Sequence, residues 1–224
     1  EWNGQLQKVI IFFCIDVNIS WWWLKDLKLI LAVISGLPEV KGMKNILVTG
    51  GAGYIGTHTI VKLQQKGYHV VALDNLSNSS CSSLDRITDI SNVEVKRTIG
   101  DIRDRCFLES VFNENNFDAV IHFAGLKSVS ESILNPLCYY ENNVAGSLQL
   151  LRVMKNHNVK NLVFSSSATV YGDPQSLPLT ESMATGQPTN PYGCSKLIVE
   201  NILQEIYCSY ASWNIVCLRY FNPV

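Results

Sequence analysis

From Lys44 onward, short apolar runs rich in β-branched residues alternate with longer segments whose apolar positions follow a helical period. "NILVT" (45–49) is the first such run. A glycine-rich turn follows, then a helical stretch to Lys66 that stops at Gly67. "HVVAL" (69–73) predicts a second strand ending at Asp74, and "VEVKRTI" (93–99) a third, followed by Gly100 and Asp101. A helix near 104–115 leads to a fourth strand, "AVIHFAG" (119–125). A long helix over about 137–157 precedes the fifth, "NLVFSSS" (161–167). The helix that carries Tyr192 runs to about Tyr210, and "NIVCLRY" (214–220) is the sixth strand. Continuous apolar strands separated by helices predict a parallel sheet covered on both faces, with right-handed crossovers. The expected fold class is α/β, a doubly wound parallel sheet of the Rossmann type, occupying residues 43–224.

Residues 1–42 break the pattern. Four of the chain's five Trp lie within its first 23 residues. The apolar runs there are interrupted by Asp16, Lys25, Asp26 and Lys28, so none reaches the ~20 residues a membrane span needs. Val9 to Ile15 could mimic a signal core, but no small-x-small cleavage site follows it. The expectation is that residues 1–42 are an atypical extension outside the working domain, with Met43 standing just before the first strand of the sheet.

Composition narrows the function class. A net charge of −1 and a pI near 6.5 give no basic stripe for nucleic acid and no acidic tail. The seven Cys are scattered without a C-x-x-C pair, which favours reduced thiols and a cytoplasmic location over disulfides or a zinc site. The four His show no metal-ligand spacing, so no metal is expected.

"VTGGAGYIG" places Gly50, Gly53 and Gly56 directly after the first strand and at the start of a helix. One glycine permits the tight turn, one lets backbone approach a pyrophosphate, and one allows close helix–strand packing. The helix N-terminus then offers N–H groups and a positive dipole end to phosphates. Asp74, at the end of the second strand, is the expected acceptor for ribose hydroxyls and would repel a 2′-phosphate, so NAD is favoured over NADP. Asp101 ends the third strand, where an adenine ring is held in such folds. His122, Phe123, Ala124, Gly125 and Lys127 end the fourth, at the crevice that the carboxyl-end rule assigns to ligand. There Lys127 reads as a cofactor contact and His122 as a core histidine.

"NPYGCSK" (190–196) puts Tyr192 and Lys196 one helical turn apart on one face. In a chain with nine Tyr that spacing arises by chance roughly every second time, so upstream context must decide. The context is "TGGAGYIG", "DNLSNSS", "GDIRD", "HFAGLKSVSES", "YYENNVAG", "FSSSATVYGD", "NPYGCSK" and "LRYFNPV", in that order over residues 43–224. These motifs resemble the extended short-chain dehydrogenase/reductase family and, within it, the UDP-glucose 4-epimerases. The resemblance implies a proton-accepting Tyr192. It implies that Lys196 holds the cofactor ribose and lowers the Tyr pKa, and that Ser167 hydrogen-bonds the sugar hydroxyl. It implies an NAD site lined by Gly50, Gly53, Gly56, Tyr54, Ile55, Asp74, Asn75, Asn78 and Ser79. Further along, that site takes in Asp101, Ile102, Phe123, Ala124, Gly125, Lys127, Asn142, Tyr220 and Phe221, with Tyr192 and Lys196 themselves. Asn222 would meet the substrate diphosphate. The implied substrates are UDP-galactose and UDP-glucose. The long helices near 104–115 and 137–157 are the candidate surfaces for a homodimer.

The implied chemistry suits these residue types. A free Tyr, with a pKa of about 10, is a poor base at neutral pH, and a neighbouring cation favours its phenolate. One departure is Cys194, where many relatives carry a basic residue. A nucleotide-sugar 4,6-dehydratase would place acidic residues after Ser167, whereas Ala168 and Thr169 follow here. A non-catalytic NAD-binding sensor would not need Tyr192, Lys196 and Ser167 in register. The relatives it resembles continue into a smaller domain that closes over the sugar, so the chain ending at "YFNPV" is expected to lack that domain and to be inactive alone.

Overall fold

The computed structural model describes residues 44–174, 176–210 and 212–221, with the backbone course of Ile11–Ile15. Its strands are β1 (Ile11–Ile15), β2 (Asn45–Thr49), β3 (His69–Asp74), β4 (Lys96–Ile99), β5 (Ala119–His122), β6 (Asn161–Ser167) and β7 (Asn214–Tyr220). All run parallel in the order β4–β3–β2–β5–β6–β7–β1. The order reverses between β2 and β5, and a crevice opens there at the carboxyl ends of the strands.

The six expected strands are present. β4 is shorter than the run 93–99, with Lys96, Arg97 and Ile99 exposed, because it has a neighbour on one side alone. A sheet beginning at Asn45 needs amending. Ile11–Ile15 lies along β7, Ile11 opposite Val216 and Ile15 opposite Tyr220. A bare parallel edge offers unpaired N–H and C=O groups, and "IFFCI" has the β-branched and aromatic character to pair with them. The rest of residues 1–42 lies outside the described residues.

The helices are α1 (Tyr54–Gln65), α2 (Cys81–Ser91), α3 (Arg105–Glu114), α4 (Val129–Leu134), α5 (Pro136–Tyr139), α6 (Gly146–Asn156) and α7 (Pro191–Ser209). Several of their starts follow from capping side chains. Asp104 accepts from the Phe107 N–H at 3.0 Å, Ser128 from Glu131 at 3.3 Å, and Asn190 from Gly193 at 2.9 Å ahead of Pro191. The expected single helix over 137–157 is instead α5, a π-helical turn at Tyr140–Ala145, and α6. Such insertions often mark functional ground, and this one borders the crevice.

Alternation along each strand feeds two cores. On one face Leu47, Val120, Leu162, Phe164 and Cys217 meet Leu108 and Phe112 of α3, Leu150 and Met154 of α6, and Val199 and Leu203 of α7. On the other, Ile46, Val48, Ala72 and Ile121 meet Ile60 and Leu63 of α1 and Leu84 and Ile87 of α2. Two-sided burial explains why the strands read as unbroken apolar runs.

Gly50 has φ +68°, and a Cβ on it would lie 2.6 Å from the Ala124 nitrogen. Gly67 also has a positive φ, +81°, but a Cβ there meets open space. Gly67→Ala should therefore cost ~1–2 kcal/mol, the left-handed penalty alone. Gly50→Ala should cost about 1–3 kcal/mol more, the range of steric overpacking. Urea unfolding of both variants checks this, and equal losses would mean the close approach at Gly50 carries no energy.

Candidate active site

The glycine loop closes on itself through Gly53 N–H to the Gly50 carbonyl at 3.1 Å and is held to β3 by Gly51 N–H to Leu73 O at 3.2 Å. At Gly56 an added Cβ would collide with the Gly50 carbonyl, so α1 starts hard against the loop. Asp74 is 7% exposed and joins two segments. Its carboxylate accepts from Ala52 N–H at 3.0 Å, from Leu76 N–H at 2.9 Å and from the Ser79 hydroxyl at 2.9 Å. A carboxylate has about four lone-pair sites, so one acceptor position remains for a ligand hydroxyl.

One crevice of ≈ 1410 Å³ runs from this loop across the strand ends. Gly50, Gly53, Tyr54, Ile55 and Gly56 form its first wall, continued by Asp74, Asn75, Asn78 and Ser79. Ile102, Phe123, Ala124, Gly125, Lys127 and Asn142 line the middle. Ser167, Tyr192, Lys196, Tyr220 and Phe221 line the far end. Asn222 lies outside the described residues. Asp101 is not in the crevice lining but touches it through Asn75: its carboxylate accepts from Arg103 at 2.7 and 2.9 Å and from Asn75 Nδ2 at 2.9 Å. The Arg103 guanidinium holds that carboxyl well below the usual carboxylate range.

Beneath the crevice the polar groups are paired. His122 is buried between the Thr49 hydroxyl at 2.7 Å and the Ser147 hydroxyl at 2.9 Å. Burial, and then the Lys196 charge, push its pKa down to about 3, so it stays neutral. Asn143, in the π-helical turn, accepts from Leu126 N–H at 2.8 Å and donates to Leu126 O at 2.9 Å and to the Ser195 hydroxyl at 3.0 Å. It ties the β5 loop to α7 beside Lys196. The sequence reading chose its neighbour Asn142 and passed over Asn143. The signal for Asn143 was a polar residue on the buried side of an otherwise amphipathic segment.

Ser167 ends β6, and its hydroxyl accepts from Thr169 N–H at 3.2 Å and Thr169 Oγ1 at 3.0 Å. Thr169, also in the crevice wall, was another residue missed. Burial raises the Tyr192 pKa, and a hydrogen bond with Ser167 opposes that rise. Lys196 is 5% exposed; its ammonium donates to the Ser165 carbonyl at 2.9 Å and lies 5.0 Å from the Phe164 ring centre. Burial lowers its pKa to about 8, with Glu200 opposing. The expected lowering of the Tyr192 pKa by Lys196 thus gives way here to desolvation of the phenol. Cys194 points its thiol to the Pro188 carbonyl at 3.5 Å and does not line the crevice.

The cradle suits an extended dinucleotide. Its glycine turn has no room for side chains, and Gly53 starts α1 without a side-chain cap. Ser166 Oγ stands buried in the wall with no partner among the described residues. The arrangement can do proton chemistry at Tyr192, beside a second hydroxyl and a buried ammonium. Among the described residues no three His, Cys, Asp or Glu cluster to hold a metal ion, and no helix is long and apolar enough to cross a membrane.

Comparison with known proteins agrees with this geometry. The UDP-glucose 4-epimerase of Neisseria meningitidis serogroup A is 54% identical over 182 residues, 81% of this chain and 54% of that protein. That of Yersinia pestis is 55% identical over 179 residues, 80% of this chain and 53% of that one. The crystal structure of UDP-glucose 4-epimerase from Bifidobacterium longum with NAD+ and UDP superposes with a TM-score of 0.80 at 56% identity, covering 81% of this chain and 54% of that one. The chain therefore spans about half the length of the relatives it matches. The sequence profile that fits, over residues 46–224, sets the conclusion: this chain belongs to the NAD dependent epimerase/dehydratase family.

Proposed function

We propose that this chain carries the cofactor site and proton-transfer residues of a UDP-glucose 4-epimerase, interconverting UDP-galactose and UDP-glucose. One observation carries the reading: a single crevice brings the glycine loop and Asp74 together with Ser167, Tyr192 and Lys196. The glycine loop and the start of α1 would hold the NAD pyrophosphate, Asp74 the adenosine ribose, and Lys196 the nicotinamide ribose. NAD held there would supply a hydride acceptor for sugar C4 and a hydride donor for the return to either face. Tyr192 takes the proton of the C4 hydroxyl and later returns it. Ser167, in contact with Tyr192, holds that hydroxyl in line. Asn222 is assigned to the substrate diphosphate.

The dehydratase alternative lacks support in the geometry. Ala168 and Thr169 follow Ser167, and Thr169 spends its hydroxyl on Ser167, so no carboxylate stands there. We place the protein in the cytoplasm, in keeping with the free thiols of Cys81, Cys106, Cys138, Cys194, Cys208 and Cys217. A homodimer is assigned to α3 and α6, which Glu109 joins through Asn156 at 2.9 Å and His157 at 2.8 Å; sedimentation at graded concentrations reads it directly.

Asp74→Ala should narrow the preference for NAD over NADP. Because Asp74 also braces the loop, the ratio of the two affinities is the measure, not either one. An unchanged ratio would remove Asp74 from cofactor selection.

We expect NAD binding by this chain, and turnover of UDP-galactose is read in a fusion to the second half of the Bifidobacterium longum protein, which restores the full length of the relatives. In that fusion Tyr192→Phe should lower the rate ~10²–10⁴-fold, the usual loss with a general base, and leave NAD bound. A coupled assay for UDP-glucose, showing a rate within a few-fold of the unsubstituted fusion, would overturn the role of Tyr192.

A further inference from the structure

Glu200 stands one helical turn beyond Lys196 on α7, on the same face. Both are almost wholly buried, 3% and 5% exposed. From β7, Arg219 grips the Glu200 carboxylate with both arms, Nε to Oε1 at 3.0 Å and Nη2 to Oε2 at 2.7 Å. Its remaining amino group donates to the Tyr171 hydroxyl at 2.7 Å, and the guanidinium lies 4.8 Å from that ring's centre. Tyr171 closes the short turn Ala168–Tyr171, which starts at Ser167. One line of contacts therefore runs from the helix with Tyr192 and Lys196, through β7, to the turn with Ser167.

Stability does not explain this arrangement. Burying an ion pair costs desolvation that its attraction barely repays, and apolar residues of the same volume usually serve as well. The charges explain it better. Without Glu200, α7 and β7 would bury Lys196 and Arg219 as two cations with no anion between them. Resting on the reading of the crevice as an NAD site, we propose that Glu200 is a positioning residue for the catalytic pair. It keeps Lys196 an ammonium inside the protein, and through Arg219 and Tyr171 it fixes the Ser167 turn against α7.

The other ionisable groups around Lys196 leave Glu200 as the source of that charge. His122 from β5 is neutral. β6 contributes the Ser165 carbonyl and no titrating side chain. On β7, burial pushes the Cys217 thiol up, so it stays protonated, and Arg219 is taken up by Glu200 and Tyr171. Glu131 of α4 accepts from Tyr139 of α5 at 3.0 Å, with Cys138 of α5 exposed. In the π-helical turn, Tyr140 is raised by burial and by Cys194, and Glu141 is exposed. Tyr192 on α7 is likewise raised by burial and uncharged.

The test is NAD affinity of this chain titrated from pH 6 to 9.5, with and without Glu200→Gln. Lys196 binds ribose as an ammonium, so affinity is full below its pKa and falls as pH rises through it, near 8 in the unsubstituted chain. In Glu200→Gln the two proteins should agree at pH 6, with the fall displaced toward acid by about one pH unit or more. A merely structural Glu200 would lower affinity equally at every pH, and that result, or an unmoved fall, overturns the proposal. Should Glu200→Gln not fold, Arg219→Met keeps the Glu200 carboxylate and removes the competing cation, and the fall should then move toward alkaline pH. A folded Arg219→Met variant with an unmoved fall, or one displaced toward acid, overturns the proposal in the same way. No NAD binding by the unsubstituted chain at any pH overturns the NAD reading and the proposal with it, whereas binding with an unshifted profile overturns the proposal alone.

Discussion

Gly50 lies so close to the end of β5 that a methyl group there would press on the Ala124 nitrogen and the Phe123 carbonyl carbon. Much of the site depends on this approach. It draws the loop after β2 down onto the neighbouring strand at the point where the sheet order reverses. α1 then starts flush with the carboxyl edge, because Gly56 packs on Gly50 with no side chain between. Asp74 completes the arrangement by accepting from Ala52 in the loop and from Leu76 and Ser79 beyond β3. The crevice is therefore a property of backbone packing before any ligand-facing side chain is considered. A wider turn would lift the helix end away from the strand ends, and the far wall at Tyr192 would have nothing opposite it.

The second constraint is polar burial. A doubly covered parallel sheet leaves the strand ends dry, so each polar group placed there needs a partner. His122 has Thr49 and Ser147, Asn143 has Leu126 and Ser195, and Lys196 has the Ser165 carbonyl. These bonds cross between β2, β5, β6, α6 and α7, so they also fix the register of the elements. Networks of this kind are costly when half satisfied and rigid when complete. The helix that carries Tyr192 and Lys196, α7, is held by several such links rather than by apolar contact alone.

Much of this was legible in the sequence because the signals are short-range. The glycine spacing, the apolar runs and the capping residues each act within a few positions, and the strands and the crevice followed from them. What escaped depends on distant pairing. The orientation of Asp101 is set by Arg103 and Asn75, and no spacing rule says which partner a strand-end acid will choose. Asn143 reads as one of two adjacent Asn until the π-helical turn decides which faces inward. β1 has a strand-like sequence, but its pairing with β7 joins segments at opposite ends of the chain. Glu200 and Arg219 look like ordinary helix and strand charges, since their pairing requires α7 to lie over β7.

The protonation state of Tyr192 brings these constraints together. Burial holds the phenol above its ordinary pKa, and Ser167 opposes this with one hydrogen bond. Lys196 points one N–H at a backbone carbonyl, so its charge is shared with β6. In the protein alone, then, Tyr192 rests as a neutral phenol, able to donate but not to accept. To act as a base it needs further positive charge nearby, and on the proposed reading that charge comes with an oxidised nicotinamide in the crevice. Positive charge in the crevice would favour the phenolate, ready to accept a proton, and loss of that charge would raise the pKa again and keep the accepted proton on Tyr192. A phenol poised high by burial would thus tie its protonation state to the charge of the group that fills the crevice. A tyrosine already ionised in the free protein would lack that coupling.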